Sequence, residues 1–308
     1  MNLGFVQSTF GLRVRSGRTS SEAGRRVRFV TRAVAAPVAP SAPASTIAPA
    51  PELYEIASDL GEKNSKKPIW KIFISSILGG AYIGYGSLLA LTVGGACPGL
   101  LATNPGLQQM IFGAFGLPFG LMLVLVTGAE LFTGNTMTVS AAFHEKKASM
   151  GGIAKSWIVS FVGNLVGSLL LAYLAAASGV LATAAGPLAV AKAKTSLPFI
   201  QLLVRGILCN WLVTAAVYMA SGARDLGGKM IAIWFPISAF VAMKFEHSVA
   251  NMFMIPFGIM LGAGVSWQSF FLGNLLPVTL GNIVGGALIM ATMNAVIFGS
   301  ALKKKAVS

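Results

Sequence analysis

Lys244, Glu246 and His247 interrupt a long apolar run in KFEHSVANMFMIP (244–256), and His247 is one of two histidines in the chain. Imidazole changes charge near neutral pH, at an ordinary pKa of about 6.5, so an enclosed histidine can exchange a proton with a weak acid. The plainer alternative is a hydrogen-bonded core histidine. A second polar cluster, GAELFTGNT (128–136), interrupts another apolar run and shares the form E-x-x-x-x-N: Glu130 to Asn135 in one, Glu246 to Asn251 in the other. His144, beside Glu145, Lys146 and Lys147, reads as a surface-loop residue.

Membrane spans must position these residues. With 308 residues, 55% of them hydrophobic and 10% charged, and a mean hydropathy of +0.75, the chain is not an ordinary soluble domain. About 20 apolar residues cross about 30 Å of hydrocarbon as a helix. Six segments qualify: 70–95, 107–143, 156–178, 198–222, 229–264 and 274–299. The second and fifth are too long for one straight helix and carry the polar clusters centrally. That predicts interrupted helices, which a membrane tolerates where the broken backbone is buried or lines a cavity.

The clusters also repeat. E-x-x-x-x-N recurs at an offset of 116, and GNLVG (163–167) recurs as GNIVG (281–285) at an offset of 118. Two signatures at nearly one offset predict a duplicated three-helix unit, and an odd number of spans makes the copies inverted. Spans one and four show no match. The expected fold is all-α: a polytopic membrane protein of six transmembrane helices in two inverted repeats, with the second and fifth helices interrupted. Two breaks meeting near the midplane expose backbone N–H groups and positive dipole ends, which suits a small anion. Glu130 and Glu246 are expected to support the breaks by accepting from exposed backbone N–H groups. The paired glycines are expected to let helices pack closely.

Outside the spans, residues 1–36 hold seven arginines and the single acid Glu22, the composition of an organelle transit peptide, with plastid favoured over mitochondrion. Removing them takes seven of 23 basic and one of nine acidic residues, leaving 16 against 8, so the charge does not argue for nucleic acid. Residues 37–51 read as a Pro/Ala-rich disordered linker that packs against nothing, and 300–308 as a basic tail. Between them lies a helix with Pro51 in its first turn and Leu53, Ile56 and Leu60 on one face, expected on the membrane surface. Basic residues lie on one side: Lys63, Lys66, Lys67, Lys71, Lys146, Lys147, Lys155, Arg224, Lys229 and Lys303 to Lys305, twelve against Lys192 and Lys194. This places both termini together on the cytosol-equivalent face, the stroma in a plastid. Cys97 and Cys209 have no metal or disulfide spacing, and no cofactor is expected.

GAELFTGNT (128–136), WIVSFVGNLVGS (157–168), GILCNWLV (206–213), FEHSVANMFMIPFGIM (245–260) and NLLPVTLGNIVGG (274–286) together resemble the formate/nitrite transporter family over about 51–299. With the leader, the chain is similar to the branch in algal plastids associated with nitrite and bicarbonate. The resemblance implies an aquaporin-like fold, a homopentamer among membrane lipids, and one anion pore per protomer. It implies His247 as the central histidine and Thr133 as the threonine of the first break. Leu121, Leu131, Phe132 and Phe240 would form the apolar constrictions, Asn210 and Asn282 would line the pore, and Lys194 would stand at its outer vestibule.

Lys244 departs from the family, which usually has a small residue there. If helix continued through it, Lys244 and His247 would share a face, adding positive charge beside the pore. The competing expectation is an ion pair with Glu246 or Glu130. An aquaporin-like channel for neutral solutes is the nearest other reading, but neither break carries an NPA sequence. Intramembrane enzymes need HExxH or Asp-rich motifs, which are absent from the sequence.

Overall fold

A computed structural model describes residues 46–300; the segment expected to be a transit peptide, the expected linker up to residue 45 and the expected basic tail beyond residue 300 lie outside the described residues. Eleven helices precede a final helical run: α1 (Ala50–Lys66), α2 (Ile69–Val93), α3 (Pro98–Thr103), α4 (Pro105–Ala114), α5 (Leu117–Thr127), α6 (Phe132–His144), α7 (Met150–Ala177), α8 (Ala185–Thr195), α9 (Phe199–Gly222), α10 (Leu226–Ala242) and α11 (Ser248–Met260), then Ser269–Phe298, which contains two π-helical stretches. Among the described residues, five helical runs of 23 to 30 residues are long and apolar enough to cross a membrane. The shorter apolar helices α10 and α11 follow one another end to end.

Local chemistry sets the boundaries. Pro68 and Pro198 precede α2 and α9, where a missing N–H costs nothing. Side chains cap three other starts: Asn104 accepts from Leu107 N–H, Ser149 from Gly152 N–H and Asp225 from Gly228 N–H. The two expected interruptions are present, at residues 128–131 and 243–247. The first lies late in its segment, because α4 and α5 together already cover Pro105–Thr127.

Glycine positions set the helix spacing. A Cβ on Gly167 would overlap the Ile77 carbonyl of α2, and one on Gly285 would overlap the Ile207 carbonyl of α9. Both glycines of the repeated G-N-x-V-G signature therefore lie against backbone, as close packing in lipid requires.

Two expectations need correction. The end of the linker does pack: Ile47 bridges Ala223 in antiparallel fashion, Ala48 is buried, and Ala48 N–H donates to Gly222 O at 3.0 Å. Helix α1 lies along α6 and buries Leu53, Tyr54, Ala57, Ser58, Gly61 and Ser65, leaving Leu60 36% exposed. Small residues win this face because they allow contact: a Cβ on Gly61 would overlap the Thr138 carbonyl of α6.

Candidate functional site: two helix breaks and the barrier between two cavities

At the first break, Gly128 ends α5 in the left-handed conformation at φ +76°, the chain runs extended through Leu131, and α6 begins at Phe132. The first amide of α6, Phe132 N–H, donates to Asn164 Oδ1 at 2.9 Å. At the second break, α11 begins at Ser248, whose N–H donates to Asn282 Oδ1, also at 2.9 Å. Each asparagine then donates to two carbonyls. Asn164 Nδ2 reaches Ser76 O and Glu130 O at 2.7 and 3.0 Å, and Asn282 Nδ2 reaches Gly206 O and Glu246 O at 2.8 and 3.0 Å. Glu130 N–H donates to Ser75 O, as Glu246 N–H does to Arg205 O, both at 3.3 Å. These bonds match α2 to α9 at an offset of 130, a correspondence carried by backbone carbonyls.

The glutamates do not accept from backbone N–H groups. Glu130 accepts from Asn135 Nδ2 at 2.7 Å and pairs with Lys67. Glu246 accepts from Asn251 Nδ2 at 2.7 Å and pairs with Lys194 at 3.0 Å. The shared spacing is thus a carboxylate–amide bond from the break to the half-helix that follows it, and a lysine neutralises each carboxylate at 3% exposure, as burial of charge requires. The job expected of the glutamates, closing the half-helix amides, falls to Asn164 and Asn282.

A cavity of about 320 Å³ lies against Lys63, Lys67, Glu130, Leu131 and Lys229. A second, of about 510 Å³, lies against Lys194, Arg205, Phe240, Lys244, Glu246 and His247. Helix α2 starts after Lys67 at the first cavity and ends before Gly95 at the second, and its 25 residues span about 37 Å. Helix α9 runs the opposite way, from Arg205 at the second to Ser221 at the first. Each cavity is lined by three cationic side chains and one carboxylate.

An apolar layer separates them. On α5, Leu117 lines the second cavity and Val124 the first, with Leu121 between at 2% exposure, so the layer is about 10 Å thick by helical rise. Leu131 reaches the first cavity and Phe240 the second; Phe132, at 2% exposure, packs edge-on against Phe161.

His247 sits in this layer at 3% exposure, its ring stacked on Phe240 with centroids 5.9 Å apart. It is also the N-cap of α11: Ala250 N–H donates to Nδ1 at 3.0 Å. That bond makes Nδ1 an acceptor, so in the neutral ring the proton is assigned to Nε2. Nε2–H then donates to Thr133 Oγ1 at 3.0 Å, joining the second break to the first. Leu131, which matches His247 at the offset of 116, is apolar, so the repeat differs where the titratable group stands.

The structure places the other expected residues differently. Asn282 spends its whole amide on backbone groups and lines neither cavity. Asn210, wholly buried, donates to Thr133 O, Thr136 Oγ1 and Asn282 O, holding the threonine's chain from behind. Lys194 does face the second cavity, ion-paired to Glu246. Helix α10 ends at Ala242, so Lys244 and His247 share no helical face. Lys244 instead closes a Schellman-type end: its N–H donates to Val241 O and Phe245 N–H to Phe240 O, both at 3.0 Å, with φ at +59°. The left-handed conformation costs a lysine about 1 kcal/mol or more relative to glycine. It pairs with neither Glu246 nor Glu130, which Lys194 and Lys67 occupy. His144 is half-buried, with Nε2 3.0 Å from Thr292 Oγ1. Sequence reasoning gives Asn164 and Lys67 no role at the site; the signal for the asparagine is its recurrence at the offset of 118.

The sequence profile described as formate/nitrite transporter matches residues 51–296. The chain is 48% identical over 256 residues to a probable formate transporter of Methanothermobacter thermautotrophicus, covering 77% of this chain and 92% of the relative. It is 34% identical over 269 residues to the formate channel FocA of Escherichia coli strain K12, covering 80% and 93%. Among solved structures, an FNT family ion channel superposes with a TM-score of 0.73 at 30% identity, covering 80% of this chain and 98% of that one. A pentameric formate channel with formate bound superposes with a TM-score of 0.64 at 29% identity, covering 75% and 98%.

Proposed function

The chain belongs to the formate/nitrite transporter family, and from that premise we propose that it conducts small monovalent anions of weak acids, nitrite and bicarbonate foremost with formate akin to them, through a pore in each protomer. The observation that carries the reading is the His247–Thr133 hydrogen bond, buried in an apolar layer between two cavities that each have a net excess of cations.

The cations, Lys194 among them, raise the local concentration of anions at each mouth. The apolar layer opposes a bare charge, whose burial costs several kcal/mol or more. A weak-acid anion lowers that cost by meeting a proton donor there. The His247 Nε2–H that now donates to Thr133 can donate to an anion oxygen instead, while the freed Thr133 hydroxyl holds a second oxygen. Net proton transfer needs the ring first to bind a proton at Nδ1, which breaks the Ala250 cap, so transfer is coupled to loosening the start of α11. Sulfate and phosphate carry too much charge for this route. A neutral-solute channel of the aquaporin type needs no proton donor in its apolar layer, since its cargo carries no charge to neutralise.

The wider assembly proposed with it is two inverted three-helix repeats, a homopentamer surrounded by lipid, and residence in the chloroplast inner envelope with both termini in the stroma. The opposed directions of α2 and α9 and the matched hydrogen bonds support the inversion. The arginine-rich leader supports the plastid address; a fluorescent fusion of residues 1–45 that stayed outside plastids would remove it. For transport, proteoliposomes are to be loaded with nitrite, bicarbonate, formate or chloride in parallel. The expected result is flux of the three weak-acid anions well above chloride, rising as pH falls from about 8 to about 6 because a proton for each weak acid becomes more available. Flux of glycerol without any anion flux would favour the neutral-solute reading.

A further inference from the structure

Resting on the transport reading, we propose that Lys244 and Arg205 form a receiving site for the charged cargo, a specificity-determining pair for planar monovalent oxyanions just above the Phe240–His247 layer. Both side chains line the second cavity together with Phe240 and His247. Glu246 is the carboxylate lining this cavity, and Lys194 and Asn251 already occupy it. Lys244 has no ion pair among the described residues, and Arg205 pairs with no carboxylate there. The cavity therefore holds two cations that an incoming anion can neutralise.

Backbone geometry argues that the lysine is placed rather than incidental. Position 244 is left-handed, where glycine alone is free of strain, yet the chain carries a long cationic side chain there. Arg205 steadies that turn from both ends: its Nη1 lies 3.5 Å from Lys244 O, and its own carbonyl accepts Glu246 N–H at 3.3 Å. The remaining guanidinium donors form a planar fork that fits two oxygens of a nitrite, formate or bicarbonate ion and gains nothing from a spherical halide. The other walls, Phe112, Leu117, Val190 and Met254 among them, are apolar, and low-dielectric walls focus the field of the two cations into the opening.

The test uses the full-length protein in proteoliposomes, with initial nitrite influx measured against nitrite concentration and ionic strength. Lys244→Met removes the charge without adding glycine's freedom. It is expected to raise KM about tenfold, the low end for electrostatic focusing, and to flatten the salt dependence, while flux at saturating nitrite falls far less. Lys244→Arg is expected to keep both. Lys244→Gly is expected to share the KM loss yet raise the thermal midpoint of the purified protein, because its strain is relieved. A Lys244→Met protein with wild-type KM and salt dependence would overturn the proposal. So would a Lys244→Gly protein less stable than wild type, since the argument from placement would be gone. If wild type itself moves no anion above protein-free vesicles, the transport reading fails instead, which keeps the two failures distinct.

Discussion

Replacing Asn282 by leucine, at nearly constant volume, is expected to leave little folded protein. The side chain is wholly buried and closes three backbone groups at once: Ser248 N–H, Gly206 O and Glu246 O. No water reaches these groups in the packed interior, and each orphaned one costs about 1–3 kcal/mol. Their sum, roughly 3–9 kcal/mol, is comparable with the whole net stability of many domains. Asn164→Leu should behave alike, since it orphans Phe132 N–H, Ser76 O and Glu130 O at the other break. Thermal melting of the detergent-purified variants checks this. An Asn282→Leu protein melting within about 2 °C of wild type would show that the half-helix amide finds another partner.

Replacing His247 by alanine is expected to spare the fold and change the transport. The lost N-cap bond to Ala250 costs about 1 kcal/mol, and the ring's removal leaves Phe240 without its stacked neighbour. The larger consequence is chemical. The layer loses its only titratable side chain among the residues placed in it, so a weak-acid anion meets the apolar layer with no proton donor. Positioned proton transfer is worth a factor on the order of a hundred or more, and weak-acid flux near neutral pH should fall on that scale. Chloride, which takes no proton, should lose nothing and gain from the widened gap. Loss of the pH dependence separates this outcome from a merely misfolded protein.

Much of this arrangement was legible in the residues. Span length and apolarity located the helices, and polar clusters in over-long runs located both breaks. The recurrence of E-x-x-x-x-N and G-N-x-V-G pointed to matched units. Other features left no readable mark. The pairing of α2 with α9 rests on the carbonyls of Ser76 and Gly206, and a carbonyl is the same whatever side chain follows it, so no residue match could reveal it. The glutamates invited a backbone role because a carboxylate near a helix start usually has one. The acceptors in fact come from Asn164 and Asn282, more than thirty residues along the chain. The N-cap duty of His247 was invisible because imidazole is not a customary capping group. The turn at Lys244 was hidden because a left-handed position is normally announced by glycine.

The most direct measurement of the central claim is the initial flux of nitrite and of chloride into proteoliposomes at about pH 6 and about pH 8, with wild type and His247→Ala reconstituted side by side. With a histidine proton donor at the centre of the barrier, wild type moves nitrite faster at the lower pH and strongly prefers it to chloride, while the alanine protein loses both the pH response and the preference. Nitrite flux equal in the two proteins at both pH values would contradict the account.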